Sequence, residues 1–198
     1  MNKIYIEAKK PSTSEYVFLE TLLNNIFGQE WKDRVEIICA DGKDHFEALV
    51  PQMKDCTEQE GKNLVIFDAD FEDNQGGFQK RQIELLKKRE DLGISFELFL
   101  FPNNHDDGDV EACFEMMMLP QHIRIMECFN DFEVCLGPDY LHPNRKGRCH
   151  TYISSMPMSK TKHDRLGTGQ WQFDNPEYWD INASGLQPLK DFLIEHLS

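Results

Sequence analysis

Short apolar runs alternate with amphipathic stretches along the first 119 residues. Four runs are rich in Val, Ile, Leu and Phe and have the length of a strand. The third run is almost wholly apolar, which is typical of a strand buried on both faces. The four predicted strands are Lys3–Ala8, Val35–Ala40, Asn63–Asp68 and Phe96–Phe101.

Helical periodicity fills the intervals between these runs, since apolar residues recur there at spacings of three and four. The predicted helices are Ser14–Phe27, His45–Met53, Phe78–Leu92 and Val110–Leu119. Pro51 weakens the second of them. Strands that alternate with helices predict a parallel sheet with right-handed crossovers. We therefore expect an α/β fold, Rossmann-like, with a four-stranded parallel sheet and helices on both faces.

The pattern changes after Pro120. Helical periodicity returns in His122–Leu136 and Leu186–Leu197, whereas residues 137–184 are rich in Pro, Gly, Asn, Ser and His and show no clear period. We expect two units: an α/β domain over residues 1–119, and a mostly helical and irregular C-terminal appendage over residues 120–198 that packs on the same core.

The composition is that of an ordinary globular protein, with 40% hydrophobic and 28% charged residues in 198. A chain of this length can bury a core without disulfides. No apolar run approaches the roughly 18 residues of a membrane helix, and no signal-like segment precedes the first strand. The six cysteines form no Cys-x-x-Cys pair. These features predict a cytoplasmic protein with reduced, mostly buried thiols and no membrane partner.

The net charge of −14 argues against non-specific binding of nucleic acid. The charge is uneven, however, because Arg145–Arg165 contains six Lys and Arg residues and one acid, Asp164. Two interpretations stay open for this basic stretch. Its cations pair with the acidic core of the same molecule, or they form an arm that grips phosphates.

Carboxylates cluster where the predicted strands end. Glu7 follows the first strand, Asp68 and Asp70 end the third, and Glu111 closes an acidic turn after the fourth. In a doubly wound sheet, ligands bind in the crevice beyond these carboxyl ends. Oxygen ligands suit Mg²⁺, which often takes one or two carboxylates together with waters and phosphate oxygens. The pattern predicts a site for Mg²⁺ or Mn²⁺, and repulsion should raise at least one carboxyl pKa when no cation is bound.

Ordinary structural roles compete with this interpretation. Asp68 and Asp70 could form a turn after a strand, and Glu7 could face solvent. Asp109 suits the N-cap of a helix, while Glu72 and Asp73 fit a solvated loop.

The residues Ile4–Glu7, together with Asp68-Ala69-Asp70 at the end of a buried strand, resemble the Toprim domain of topoisomerases, primases and OLD-type nucleases. The runs Leu100–Asn104 and Gly108–Glu111 are similar to a bacterial OLD-related Toprim-like family of unknown function. The resemblance covers roughly residues 3–118.

That resemblance implies a Toprim-like fold in which Asp68 and Asp70 bind Mg²⁺. It implies that Glu7 is a general acid/base or a metal ligand and that Glu111 is a further ligand. Toprim domains usually have glycine after the glutamate, whereas this sequence has Ala8, and we expect the extra methyl group to crowd an approaching phosphate.

Three functions follow from these expectations. The first is Mg²⁺-dependent phosphodiester cleavage or phosphoryl transfer on nucleic acid or nucleotide, with Glu7 moving the proton. The alternative is a non-catalytic regulatory module that binds metal together with nucleotide or nucleic acid. A haloacid-dehalogenase-like phosphatase ranks last, because Cys113 stands where the Gly-Asp-x-x-x-Asp motif beginning at Gly108 needs its second aspartate.

Overall fold

A four-stranded, all-parallel sheet forms the centre of the computed structural model, which describes residues 1–72 and 76–198 apart from the side chains of Lys43 and Asp44. Asp73 lies outside the described residues. The strand order is β2-β1-β3-β4, and the strands are β1 (Asn2–Ile6), β2 (Val35–Cys39), β3 (Asn63–Asp68) and β4 (Glu97–Phe101). The predicted parallel α/β sheet is therefore confirmed.

Eight α-helices accompany the sheet in the described part of the chain. They are α1 (Ser14–Phe27), α2 (Val50–Glu58), α3 (Phe78–Asp91), α4 (Val110–Met116), α5 (Ile123–Leu136), α6 (Arg145–Ser154), α7 (Lys160–Asp164) and α8 (Gln187–Leu197). Short 3₁₀ helices occupy Gly28–Asp33, Lys43–Leu49, Pro120–His122, Leu166–Thr168 and Ser184–Leu186.

Side chains of the central strands alternate between two buried layers, as the two-residue period of a strand requires. Ile4 and Ile6 of β1 belong to a large layer that includes residues of α1, α4, α6 and α8. Tyr5 belongs to a smaller layer with residues from α2 and α3. Both faces of the sheet are thus covered, which agrees with the apolar character of β3.

The C-terminal segment contributes directly to the larger layer. Trp171 and Trp179 are buried there together with Phe114 and Tyr152. Residues 120–198 therefore share a hydrophobic core with the sheet, and the division at residue 119 stays an expectation about domains.

Two local predictions were wrong. Pro51 does not weaken a helix but lies in the first turn of α2, where a missing N–H has no intrahelical partner to lose. The aperiodic region contains α6 and α7. Side chains of Asn144 and Ser159 accept hydrogen bonds from backbone N–H groups at the starts of these helices.

All six cysteines are free, and half of them are buried, namely Cys56, Cys113 and Cys149. Cys128 and Cys135 are exposed, so burial of the thiols is less general than the sequence predicts. Among the described residues, none of the helices combines the length and the apolar character needed to cross a bilayer.

Candidate functional site

The crevice lies where β1 and β3 run side by side in the middle of the sheet. Crossovers from these two strands lead to opposite sides, because β1 is followed by edge strand β2 and β3 by edge strand β4. This reversal of strand order is the place where doubly wound sheets bind ligands. Glu7 directly follows β1, and Asp68 is the last residue of β3, so both acids lie at this point.

Asp68 is the electrostatic centre of the site. Its Oδ1 atom accepts a hydrogen bond from the Val110 N–H at 2.9 Å. Burial raises the pKa of Asp68 well above its ordinary value, and the charges of Glu15, Glu7, Glu111 and Asp109 raise it further, in that order. The direction of this shift agrees with the repulsion expected from the sequence, and the carboxylates involved come from four separate segments.

Glu15 belongs to this cluster although its sequence position gave no direct indication. Burial raises the pKa of Glu15 to about 8, and the charges of Glu7 and Glu111 add to the effect. A backbone hydrogen bond at Glu7 lowers the pKa of Glu15 and so opposes these effects. The signal that could have identified Glu15 is its place in the first turn of α1, because a crossover helix begins at the same edge where its strand ends.

Glu111 is buried, with 8% of its surface exposed, in the first turn of α4. Burial raises its pKa, while the ammonium group of Lys146 lowers it. The Lys146 Nζ lies 3.8 Å from Oε1 of Glu111. The charge of Glu111 raises the pKa of both Asp68 and Glu15. This agrees with the prediction that Glu111 lies near the ends of β1 and β3.

Asp70 is directed toward a different partner. Its carboxylate forms an ion pair with Arg81, which is 3% exposed and also binds Glu84 at 2.8 Å. The backbone of Asp70 exchanges two hydrogen bonds with Gly108 and has a φ of 60°. This local geometry turns Asp70 toward α3, whereas the sequence placed it beside Asp68 as a second metal ligand.

Several nearby residues have the ordinary roles that competed with the metal interpretation. Asp109 caps α4 and accepts a hydrogen bond from Ala112 N–H at 3.1 Å, and Glu72 is exposed. Ala8 is 5% exposed and belongs to the larger core layer. Its methyl group therefore packs into the core, which removes the reason to expect crowding over the crevice.

The basic stretch divides into two parts with different surroundings. The α6 cations lie beside the acidic site: Arg145 is 3.3 Å from Asp109, and Arg148 is 3.2 Å from Glu115. In contrast, Lys160 and Lys162 on α7 are exposed. The interpretation in which the cations pair with the acidic core therefore holds for α6. The cations of α7 face solvent instead.

The carboxylate oxygens of this site are of the ligand type that a hard divalent cation prefers. The site consists of carboxylates that are partly buried and repel one another, which is the arrangement a cation relieves. Within residues 1–72 and 76–198, no group of three or more His, Cys, Asp or Glu side chains is placed to hold a metal ion as it stands. Mg²⁺ commonly uses only one or two carboxylates with several waters, and Glu7 and Asp68 could supply these.

Comparisons with models of known protein families, with curated proteins and with solved structures each find no match to this chain.

Proposed function

We propose that this chain carries a nuclease-like, Toprim-like site that acts on phosphodiester or phosphoryl groups of nucleic acid or nucleotides and uses Mg²⁺ or Mn²⁺. The observation that carries the proposal is the position of Asp68 at the end of β3, where burial and the charges of Glu15, Glu7 and Glu111 together raise its pKa. Such a cluster is costly unless a cation or protons neutralise it, and it lies at the ligand-binding edge of the sheet.

Asp68 and Glu7 are the proposed principal ligands, with Glu111 and Glu15 beside them. Asp70 would join them only by leaving Arg81, which now holds its carboxylate. When bound, the cation would neutralise phosphate charge and lower the pKa of a coordinated water.

The chain's own residues supply the remaining functions. Glu7 has the position of a general acid/base at the end of β1, where it can take or give a proton at the reacting oxygen. Arg145 and Lys146 lie 3.3 and 3.8 Å from Asp109 and Glu111. They can orient a phosphate toward the crevice by exchanging a carboxylate partner for a phosphate oxygen.

The alternative function is a non-catalytic regulatory module that holds metal and nucleotide or nucleic acid without turnover. The ion pairs within the site favour it. Arg81 already neutralises Asp70, and Lys146 faces Glu111. These two pairs neutralise the carboxylates of Asp70 and Glu111 within the chain, and their exchange for ligand contacts would suit a site that switches between closed and ligand-bound states.

The direct experiment measures turnover of single-stranded, duplex and nicked DNA, RNA and nucleotides with Mn²⁺ and Mg²⁺. We expect cation-dependent product formation that is lost in Asp68→Asn and kept in the control Asp91→Asn, which removes an exposed acid at the end of α3. Cation-dependent stabilisation without turnover would favour the regulatory module. No response to either cation would refute both functions.

A further inference from the structure

A separate cavity of about 330 Å³ lies between the start of α1, α6 and the segment around Leu166–Trp171. Its described lining includes Lys10, Lys146 and His150 together with the hydroxyl residues before and at the start of α1, and it contains no carboxylate. In a protein with a net charge of −14, a cavity lined by cations and hydroxyls is suited to an anion.

Ser14 provides an independent indication that a ligand belongs here. The residue lies in the wall of this cavity and is 2% exposed. Its Oγ atom is buried and has no hydrogen-bond partner among the described residues. A buried hydroxyl without a partner is destabilising, and such groups are rare in folded proteins unless a water, ion or ligand satisfies them.

The backbone adds a second favourable feature. Ser14 is the first residue of α1, a helix of 14 residues whose positive dipole end faces the cavity region. Thr13 caps the helix by accepting a hydrogen bond from Tyr16 N–H at 3.4 Å.

Gly169 approaches this first turn closely. Its φ is +75°, and a Cβ atom there would lie 2.5 Å from the Ser14 nitrogen. Only glycine combines this conformation with this contact. The Gly169 backbone therefore packs directly against the start of α1 and forms this part of the cavity wall.

We infer that this cavity binds the terminal phosphate group of a ligand, with Lys10, Ser14, Lys146 and His150 as donors. Its volume equals that of about ten water molecules, which suits a phosphate with its adjoining sugar and excludes a duplex. Lys146 also faces Glu111 at 3.8 Å, so a phosphate held here lies beside the carboxylate cluster. The inference rests on the cavity itself and does not require the proposed metal chemistry.

The test is calorimetric titration with inorganic phosphate in the presence of a chelator, at constant ionic strength kept with sodium chloride. We expect wild-type protein to bind phosphate, and Lys10→Ala and Ser14→Ala each to weaken binding about tenfold or more, the usual effect of losing a hydrogen bond to a charged group. Lys9→Ala is the matched control, because Lys9 is exposed and lies outside the lining, and it should bind like wild type.

A second titration compares a 5′-phosphorylated thymidine dinucleotide with its 5′-hydroxyl form. The phosphorylated form should bind at least tenfold more tightly. The inference is overturned if wild type does not respond to phosphate, if Lys10→Ala binds as well as Lys9→Ala, or if the two dinucleotides bind equally. Because the chelator removes free cations, these results are separate from those that test the metal.

Discussion

The Oδ1 atom of Asp68 accepts a hydrogen bond from the Val110 N–H at 2.9 Å, and this bond joins the end of β3 to the first turn of α4. It fixes the central acid of the cluster and places Glu111, the next residue along the chain, at the same edge of the sheet. The carboxylate is thus held by the fold in a position where its charge is unfavourable.

Asp68→Asn should therefore have opposite effects with and without a cation. In a chelator, the variant should be as stable as wild type or more stable, because an amide keeps an acceptor for Val110 and removes a repelling charge. With Mg²⁺ at 100 times its dissociation constant, wild type should gain about 2.7 kcal/mol, roughly 5–10 °C in Tm for a chain of this size. The variant should lose most of that gain.

Thermal melts with Mg²⁺, Mn²⁺ or chelator measure both effects. Asp91→Asn controls for the change in net charge, and it should keep the response to the cation. A wild-type melt that is indifferent to both cations would contradict the metal site, as would an Asp68→Asn melt that still responds fully.

The raised pKa of Glu15 makes stability depend on pH. The unfolded chain loses this proton near pH 4.5, whereas the folded chain keeps it up to about pH 8. The folded state therefore binds more protons over this interval, and stability falls as the pH rises from about 4.5 to 8. In metal-free protein, Glu15→Gln should flatten this decline and be more stable than wild type at pH 8 by at least about 1 kcal/mol.

Urea unfolding at pH 4.5, 6 and 8 in a chelator provides the measurement. Glu58→Gln, an exposed glutamate on α2, reports the effect of removing a negative charge alone. If Glu15→Gln and wild type decline in parallel, burial and the charges of Glu7 and Glu111 do not raise the pKa of Glu15 as the structure indicates.

Glu7→Gln separates proton transfer from metal binding. If the protein turns over phosphodiester or phosphoryl substrates, this variant should lower kcat by roughly 10²–10⁴-fold, the usual contribution of a general acid/base. Its affinity for Mn²⁺ should fall less than that of Asp68→Asn.

A control, Glu36→Gln, changes an exposed glutamate on β2 and should leave kcat unchanged. A Glu7→Gln variant with wild-type turnover would show that Glu7 has no role as an acid or base. Loss of metal binding equal to that of Asp68→Asn would assign Glu7 to the metal alone.

The sequence was sufficient for the sheet because its signals are local. The apolar run Asn63–Asp68 and the amphipathic run Ser14–Phe27 match β3 and α1 in both bounds. The helix α6 was missed because it contains Gly147, a poor helix former, and because its buried face, with Cys149, Tyr152 and Ile153, is defined only by packing on the core.

The sequence predicted the positions of site residues only where those residues lie at the end of a strand. Glu7 and Asp68 come together because parallel strands end at one edge. The position of Asp70 does not follow from the end of its strand alone. Its φ of 60° and its bridge to Gly108 depend on a turn that is distant in the sequence. In addition, Arg81 of α3 forms an ion pair with its carboxylate. To predict that Glu15 belongs to the site, one would have to know where α1 lies relative to the sheet.

Gly169 should be intolerant of a side chain because of its contact with the start of α1. Its left-handed backbone and a Cβ contact of 2.4 Å with the Thr13 carbonyl carbon should make Gly169→Ala cost about 2 kcal/mol. Gly167→Ala is the matched control, since a Cβ there meets nothing within 4 Å, and it should be neutral or slightly stabilising. Urea midpoints measure both variants, and equal midpoints would contradict the close packing at Gly169.

The exposed cations of α7 should control how salt affects binding to single-stranded nucleic acid. Lys160, Lys162 and Arg165 are exposed, so their charged groups face solvent. Each cation that contacts a phosphate adds about 0.7 to the slope of log affinity against log salt. The triple alanine variant of these residues should therefore reduce the slope by about 2 if α7 grips the strand.

Fluorescence anisotropy with a labelled oligonucleotide at several salt concentrations measures this slope. The α6 cations should contribute less per residue, because they are already paired with Asp109, Glu111 and Glu115 and binding would exchange one anion for another. A triple alanine variant of Lys54, Lys62 and Lys80, which are also exposed, controls for net charge. If wild type fails to bind at low salt, or if the α7 variant keeps the wild-type slope, then α7 is a solvated helix with no role in binding phosphates.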